Sequence, residues 1–150
     1  MNAFEQIIAN HAFVSFAMAW FAAQFMKGIQ GIVKEKSIKG FRRVIANGGM
    51  PSSHASSVCA LCTASVVGYG FNSFQFAVSA LVALVVMNDA FGVRYETGKH
   101  SKVLKRLIKE GDVDLDVDLK VAVGHTPLQV LAGALLGVAI SLALKYLFYR

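Results

Sequence analysis

Charge is almost absent from four long stretches of this chain and crowded between them. Residues 11–26, 55–71, 74–91 and 128–148 together hold two formally charged side chains, Asp89 and Lys145. Thirteen of the fifteen Lys and Arg fall in Lys27 to Arg43 and Arg94 to Lys120. A segment crossing a bilayer must satisfy its own backbone polar groups, which a helix does, and it needs about 20 mostly apolar residues. The apolar blocks, extended slightly, meet that length. The pattern therefore predicts an all-α integral membrane bundle forming one domain over 1–150, with about four spans near 8–27, 52–70, 74–92 and 128–148. Composition agrees: 16% of residues are charged, against about 25% in soluble domains. Glu5 stands where a secretory leader would carry basic residues, so no cleaved leader is expected.

The basic clusters exclude some partners. Nucleic acid would explain the charge but not four apolar blocks. Anionic lipid explains both, so membrane lipids are the expected partner. Cys59 and Cys62 form a Cys-x-x-Cys inside an apolar block, with no second pair or neighbouring His to complete a zinc site. They read as small packing residues.

The second apolar block opens on Asn47-Gly48-Gly49-Met50-Pro51-Ser52-Ser53-His54. The glycines, Gly49 among them, permit backbone conformations closed to other residues. Pro51 suits the first turn of a helix, and the free N–H groups there make an anion site. Ser52 and Ser53 supply hydroxyls, and His54 supplies proton transfer near neutral pH. Gly124-His125-Thr126-Pro127 opens the last block in the same manner, with Gln129 four residues past His125. Gln24 and Lys27, three apart at the end of the first block, share a helix face. Two readings stand for them: a lysine snorkelling to the interface, or a polar pair pointing into a site. Asp89 and Arg94 close the third block either as a helix-ending ion pair or as a site wall, because an acid near a membrane helix end needs a partner. Residues 99–109 place Val103, Leu104, Leu107 and Ile108 on one face among lysines, which predicts an amphipathic interfacial helix. The acidic run Glu110 to Asp118 is expected to be a solvated loop, with a short strand as the alternative.

Four spans put both long connectors on one side of the membrane and both termini on the other. The basic residues make the connector side cytoplasmic. Lys27, Arg42, Arg43, His54, Asp89, Arg94 and His125 then share one face. Two histidines, several cations and helix N-termini suit phosphoryl transfer: Arg and Lys hold the equatorial oxygens, one His attacks phosphorus, and the other protonates the leaving oxygen. Neither step demands a metal or another cofactor, and the apolar spans would admit acyl or prenyl chains.

Gly48-Gly49-Met50-Pro51-Ser52-Ser53-His54, Asp89-Ala90-x-Gly92-Val93-Arg94 and Gly124-His125-Thr126-Pro127, in that order, resemble the divergent PAP2 family, a membrane branch related to the type 2 phosphatidic acid phosphatases and vanadium haloperoxidases. The resemblance covers about residues 20 to 140. The larger superfamily carries Lys-x6-Arg-Pro, Pro-Ser-Gly-His and Arg-x5-His-x3-Asp motifs. Pro51, Ser52 and His54 match the second, with Ser53 in place of its Gly, which implies a general-acid role for His54. His125 is similar in placement to the nucleophile of the third motif, but Gln129 stands where Asp is expected and Leu119 where Arg is expected. Arg94-x5-His100 fits the spacing with Leu104 at the Asp position, and His100 ranks below His125. Lys36-x6-Arg43 fits the first motif without its Pro, and Lys27 is an equal candidate. Asp89 is the carboxylate available to support His125. The superfamily core has more helices, so four spans imply a homodimer to close the site.

The resemblance and the residues together predict a metal-independent phosphatase acting on lipid phosphates (phosphatidic acid, phosphatidylglycerophosphate or prenyl diphosphates) through a phosphohistidine. The phosphate-binding set is Gln24, Lys27, Arg43, Gly49, Ser52, Ser53, Arg94 and Gln129. The alternative is a membrane protein that binds or transports lipid head groups without cleaving them. A third reading is a structural subunit whose histidines only cap helices.

Overall fold

The computed structural model describes residues 2–45, 49–111 and 124–149, without the side chains of Arg43, Ile45 and Lys109. Every regular element among them is helical. A short helix, α1 (Ala3–Ala9), ends at Asn10, whose side chain caps the next helix by accepting from the Phe13 amide. Helix α2 (His11–Glu35) runs well past the expected end of the first span. A 3-10 segment, Ile38–Ile45, folds back on it. Helices α3 (Ser53–Tyr69) and α4 (Phe74–Asn88) follow, then one π-helical turn, Asp89–Val93, which leads without a break into α5 (Arg94–Glu110). Helix α6 (Pro127–Phe148) completes the bundle.

Burial is inverted relative to a water-soluble domain. The core is made of small side chains: Ala19, Ala23, Ala55 and Ala60 are fully buried, as are Ser15, Ser52, Ser56 and Ser141. Large apolar residues such as Phe21, Leu84 and Leu135 point outward. Lipid offers no hydrophobic reason to hide leucine, so helices in a membrane associate through small residues and close backbone approach. Helix α3 is the hub, packed against α2, α4 and α6. Its seam with α6 is made by glycine: a Cβ on Gly133 would lie 2.3 Å from the Ser52 carbonyl oxygen, and one on Gly137 would lie 2.1 Å from that of Ser56. The seam with α2 is tied by Ser56 Oγ, which donates to the Ala19 carbonyl at 3.1 Å.

Among the described residues, three helices are long and apolar enough to cross a membrane: α2, the continuous Phe74–Ile108 helix, and α6. This is one fewer than the four spans expected from the apolar blocks. The shortfall is α3, which at 17 residues reaches only about 26 Å at 1.5 Å per residue. The basic stretch expected as a separate interfacial helix over 99–109 is the distal part of α5. Its Val103, Leu104 and Leu107 are exposed. The acidic run falls, beyond Gly111, outside the described residues.

Candidate functional site

The start of α3 is fixed from three directions. Ser52 is the N-cap, its Oγ accepting from the Ala55 amide. The Ser52 amide donates to the Gln129 carbonyl on α6 at 3.0 Å. Pro51 and Ser53 are buried beside it, and the Met50-Pro51 peptide is cis. Gly49 adopts φ +88, a left-handed conformation that favours glycine. There the backbone passes the Lys27 side chain, whose Cγ and Cδ would lie 3.9 Å from an added Cβ.

Lys27 is 4% exposed. Its Nζ donates to Gln24 Oε1 at 3.0 Å and to Ser53 Oγ at 3.2 Å. Of the two readings of the Gln24–Lys27 pair, the inward one describes its geometry. A buried ammonium is costly unless matched by charge or hydrogen bonds. Among the described residues no carboxylate bonds Lys27, and its two partners are neutral.

The two helix-opening histidines meet. The His54 and His125 ring centroids are 6.2 Å apart, with the planes inclined at 53°. His54 is exposed and His125 is buried. The short approach to α6 holds His125 in place: its amide donates to the Ala90 carbonyl at 3.0 Å. Gly124, just before it, lies so close to α5 that a Cβ would sit 2.2 Å from the Tyr95 nitrogen. The π turn is part of this arrangement, since π turns inserted in helices redirect backbone groups and recur at functional sites. The charges of Lys27 and Arg94 act on both imidazoles, and that of Asp89 acts on His54. Burial, then the Lys27 charge, then His54 and Arg94, push the His125 pKa down to about 4, against a smaller upward pull from the Gln129 side chain. His125 is thus neutral at pH 7, with a lone pair available. Its Nδ1 is buried and has no hydrogen-bond partner among the described residues.

Asp89 is bonded to Arg94 at 2.5 Å rather than to either imidazole. The five-residue spacing suits the π turn, in which the Arg94 amide also bonds the Asp89 carbonyl. Both side chains are partly exposed. Gln129 closes a capping box at the head of α6: its Oε1 accepts from the Thr126 amide at 3.0 Å. It occupies the sequence position of the superfamily's carboxylate, and its side chain pulls the His125 pKa upward against burial. Lys36 and His100, the alternative candidates, are exposed. The Arg43 side chain lies outside the described residues, as does Gly48. Two parts of the site carry no local sequence signal, the π turn and the Ala90 carbonyl.

The cluster thus gathers Gln24, Lys27, Gly49, Ser52, Ser53, His54, Asp89, Arg94, His125 and Gln129 at one end of the bundle. Two cations, serine hydroxyls and a helix N-terminus fit an oxyanion. Among the described residues no group of three or more His, Cys, Asp and Glu is placed to hold a metal ion.

Known proteins give the same family. The sequence profile described as "Divergent PAP2 family" matches residues 8–140. An uncharacterized membrane protein of Bacillus subtilis (strain 168), YuiD, is 34% identical over an alignment of 158 residues, covering 95% of this chain and 99% of that protein. No solved structure matches the chain.

Proposed function

The chain belongs to the divergent PAP2 family of membrane proteins, and from that premise we propose that it is a metal-independent phosphatase acting on lipid phosphates at the cytoplasmic membrane face. The observation that carries this reading is the 6.2 Å separation of His54 and His125 beside buried Lys27. Lys27, Arg94 and the Ser52–Ser53 helix mouth bind the phosphoryl oxygens. His125, uncharged at neutral pH, attacks phosphorus through Nε2, since Nδ1 is enclosed. The bond from phosphorus to the lipid oxygen breaks, and His54 gives that oxygen a proton. Water then attacks the phosphohistidine, His54 takes back a proton, the P–N bond breaks and inorganic phosphate leaves. General acid catalysis of this kind contributes about 10² to 10⁴-fold in rate.

One observation favours the binding alternative. A nucleophilic His normally has a partner that fixes its tautomer and stabilises the imidazolium, and His125 Nδ1 has none among the described residues. Purified protein assayed on phosphatidic acid, phosphatidylglycerophosphate and prenyl diphosphates separates the readings. Phosphate release lost in both His125→Ala and His54→Ala supports the phosphatase. Micromolar vanadate binding without release from any substrate selects the binding protein.

A further inference from the structure

A polar cavity lies at the end of the bundle far from the histidine cluster. It holds about 440 Å³ and is lined by Gln6, Asn10, His11, Gly68, Tyr69 and Lys145, among others. Its distance from the histidine cluster follows from helix geometry. Lys27 stands sixteen residues beyond His11 on α2, and Lys145 stands eighteen beyond Pro127 on α6. At 1.5 Å per residue these are about 24 and 27 Å, close to the roughly 30 Å of a hydrocarbon core. The cavity therefore sits at the head-group layer opposite the phosphatase site.

Its walls are built rather than frayed. His11 Nε2 is 3.1 Å from the Ser141 carbonyl oxygen, and the His11 and Tyr149 rings are 5.1 Å apart. Tyr149 Oη donates to the Ile8 carbonyl, tying α6 to α1. One turn further in, the Ser15 and Ser141 hydroxyls are fully buried without partners among the described residues. The positive end of the α2 dipole opens here, and Lys145 is the charged side chain on the cavity wall. Glu5, the nearby carboxylate, lines a neighbouring groove and accepts from the Asn2 amide.

A mostly apolar slot, with Ser65, Gln75 and Ser79 also on its walls, adjoins the cavity. About 380 Å³ between α2, α3 and α4 shares Asn10, Ala12 and Tyr69 with it and is lined deeper in by Leu61, Val78 and Val82. A polar cavity with a lysine, beside a mostly apolar slot running toward the bilayer centre, is complementary to an amphiphile with a negative head. We infer that this end of the protein holds an anionic phospholipid, its phosphate at His11 and Lys145 and an acyl chain in the slot.

The inference concerns a second site, so it is tested with the first one disabled. Full-length His54→Gln/His125→Gln protein is titrated with phosphatidylglycerol and with phosphatidylcholine, and bound lipid is counted by native mass spectrometry. One phosphatidylglycerol is expected to be retained, at least tenfold more tightly than phosphatidylcholine. Lys145→Met should weaken it at least tenfold and Lys145→Arg should restore most of the affinity. Gly68→Leu fills the cavity without touching either charge, and a Cβ at Gly68 meets nothing within 4 Å, so that variant should fold. It should lose the lipid, and in the otherwise unchanged protein it should leave phosphate release intact. Retention unchanged in Lys145→Met and Gly68→Leu would overturn the site. So would equal binding of the zwitterionic lipid, or displacement by equimolar inorganic phosphate, which would mark a free-anion site. Lipid retention is read without turnover, so failure here is distinct from failure of the phosphatase.

Discussion

The amide of His125 donates to the carbonyl of Ala90 at 3.0 Å, joining the head of α6 to a π turn in another helix. That bond sets the height of the imidazole above α3 and brings it within 6.2 Å of His54. Side-chain substitutions leave it in place, but anything that lifts α6 off α3 acts on it. Gly133 is where such a lift is easiest to impose. An added Cβ would lie 2.3 Å from the Ser52 carbonyl and 3.1 Å from the Ser52 nitrogen, and both are backbone atoms. Gly133→Ala is expected to destabilise by about 1–3 kcal/mol through overpacking, against a helix-propensity gain of about 1 kcal/mol. Gly68→Ala meets no neighbour and should be neutral or slightly stabilising. Thermal unfolding of the two variants in detergent gives the comparison, and phosphate release should fall with Gly133→Ala alone.

Asp89 and Arg94 separate in function although they are paired in space. The pair is partly exposed, so its direct contribution to stability is about 0.2–1 kcal/mol. Arg94 acts electrostatically on both imidazoles, whereas Asp89 acts on His54 and bonds neither ring. Arg94→Gln should raise the concentration of vanadate needed for half-inhibition about tenfold or more, the scale of a lost charged hydrogen bond. Asp89→Asn should leave it unchanged or lower it, because a guanidinium is released and a negative charge removed. A loss in Asp89→Asn as large as in His125→Ala would instead make Asp89 the carboxylate that supports the nucleophile.

Acid should weaken the folded state through His125. Its pKa is lowered from the ordinary 6.5 to about 4. Between those values the unfolded chain binds a proton that the folded chain does not. The contribution of neutral His125 to stability is therefore complete above about pH 6.5 and is lost progressively as pH falls toward 4. The unfolding midpoint should drop across that window, and His125→Gln, which cannot titrate, should flatten the drop. Phosphate release should likewise persist below pH 6 as far as the nucleophile is concerned.

Much of this was legible in the chain, for reasons that mark the limit of such reading. Apolar blocks identify helices because a bilayer leaves the backbone few alternatives. His54 and His125 are recognisable as partners because each precedes such a block. Gln24 and Lys27 share a face by spacing alone. The length of α2 was not legible. Gly28 and Gly31 resemble connector residues, yet they continue the helix because they receive the 3-10 segment. A Cβ on Gly28 would collide with Phe41 and Val44, and one on Gly40 would lie 2.2 Å from the Gly31 carbonyl. The π turn was not legible either, because the amide its Ala90 carbonyl meets, that of His125, lies some thirty residues further along. The bond from Lys27 to Ser53 likewise depends on α2 and α3 meeting, which no local pattern encodes.

Lys27 is the residue on which the anion site depends most. It is the buried cation of the cluster, and among the described residues it is held by an amide oxygen and a hydroxyl but no carboxylate. An oxyanion would bring the missing charge, so binding should both neutralise the lysine and stabilise the fold. Lys27→Met removes the charge and keeps the stem that packs on Gly49. Without ligand it should fold at least as well as the parent, because a desolvated ammonium is replaced by an apolar group. With millimolar vanadate the order should reverse. The parent should gain unfolding temperature by mass action, while Lys27→Met should gain little and should release phosphate at least tenfold more slowly. Lys27→Arg keeps the charge but presents it as a planar fork rather than a compact ammonium, so an intermediate response is expected. Equal vanadate stabilisation of the parent and Lys27→Met would remove Lys27 from the anion site and leave Arg94 as its cation.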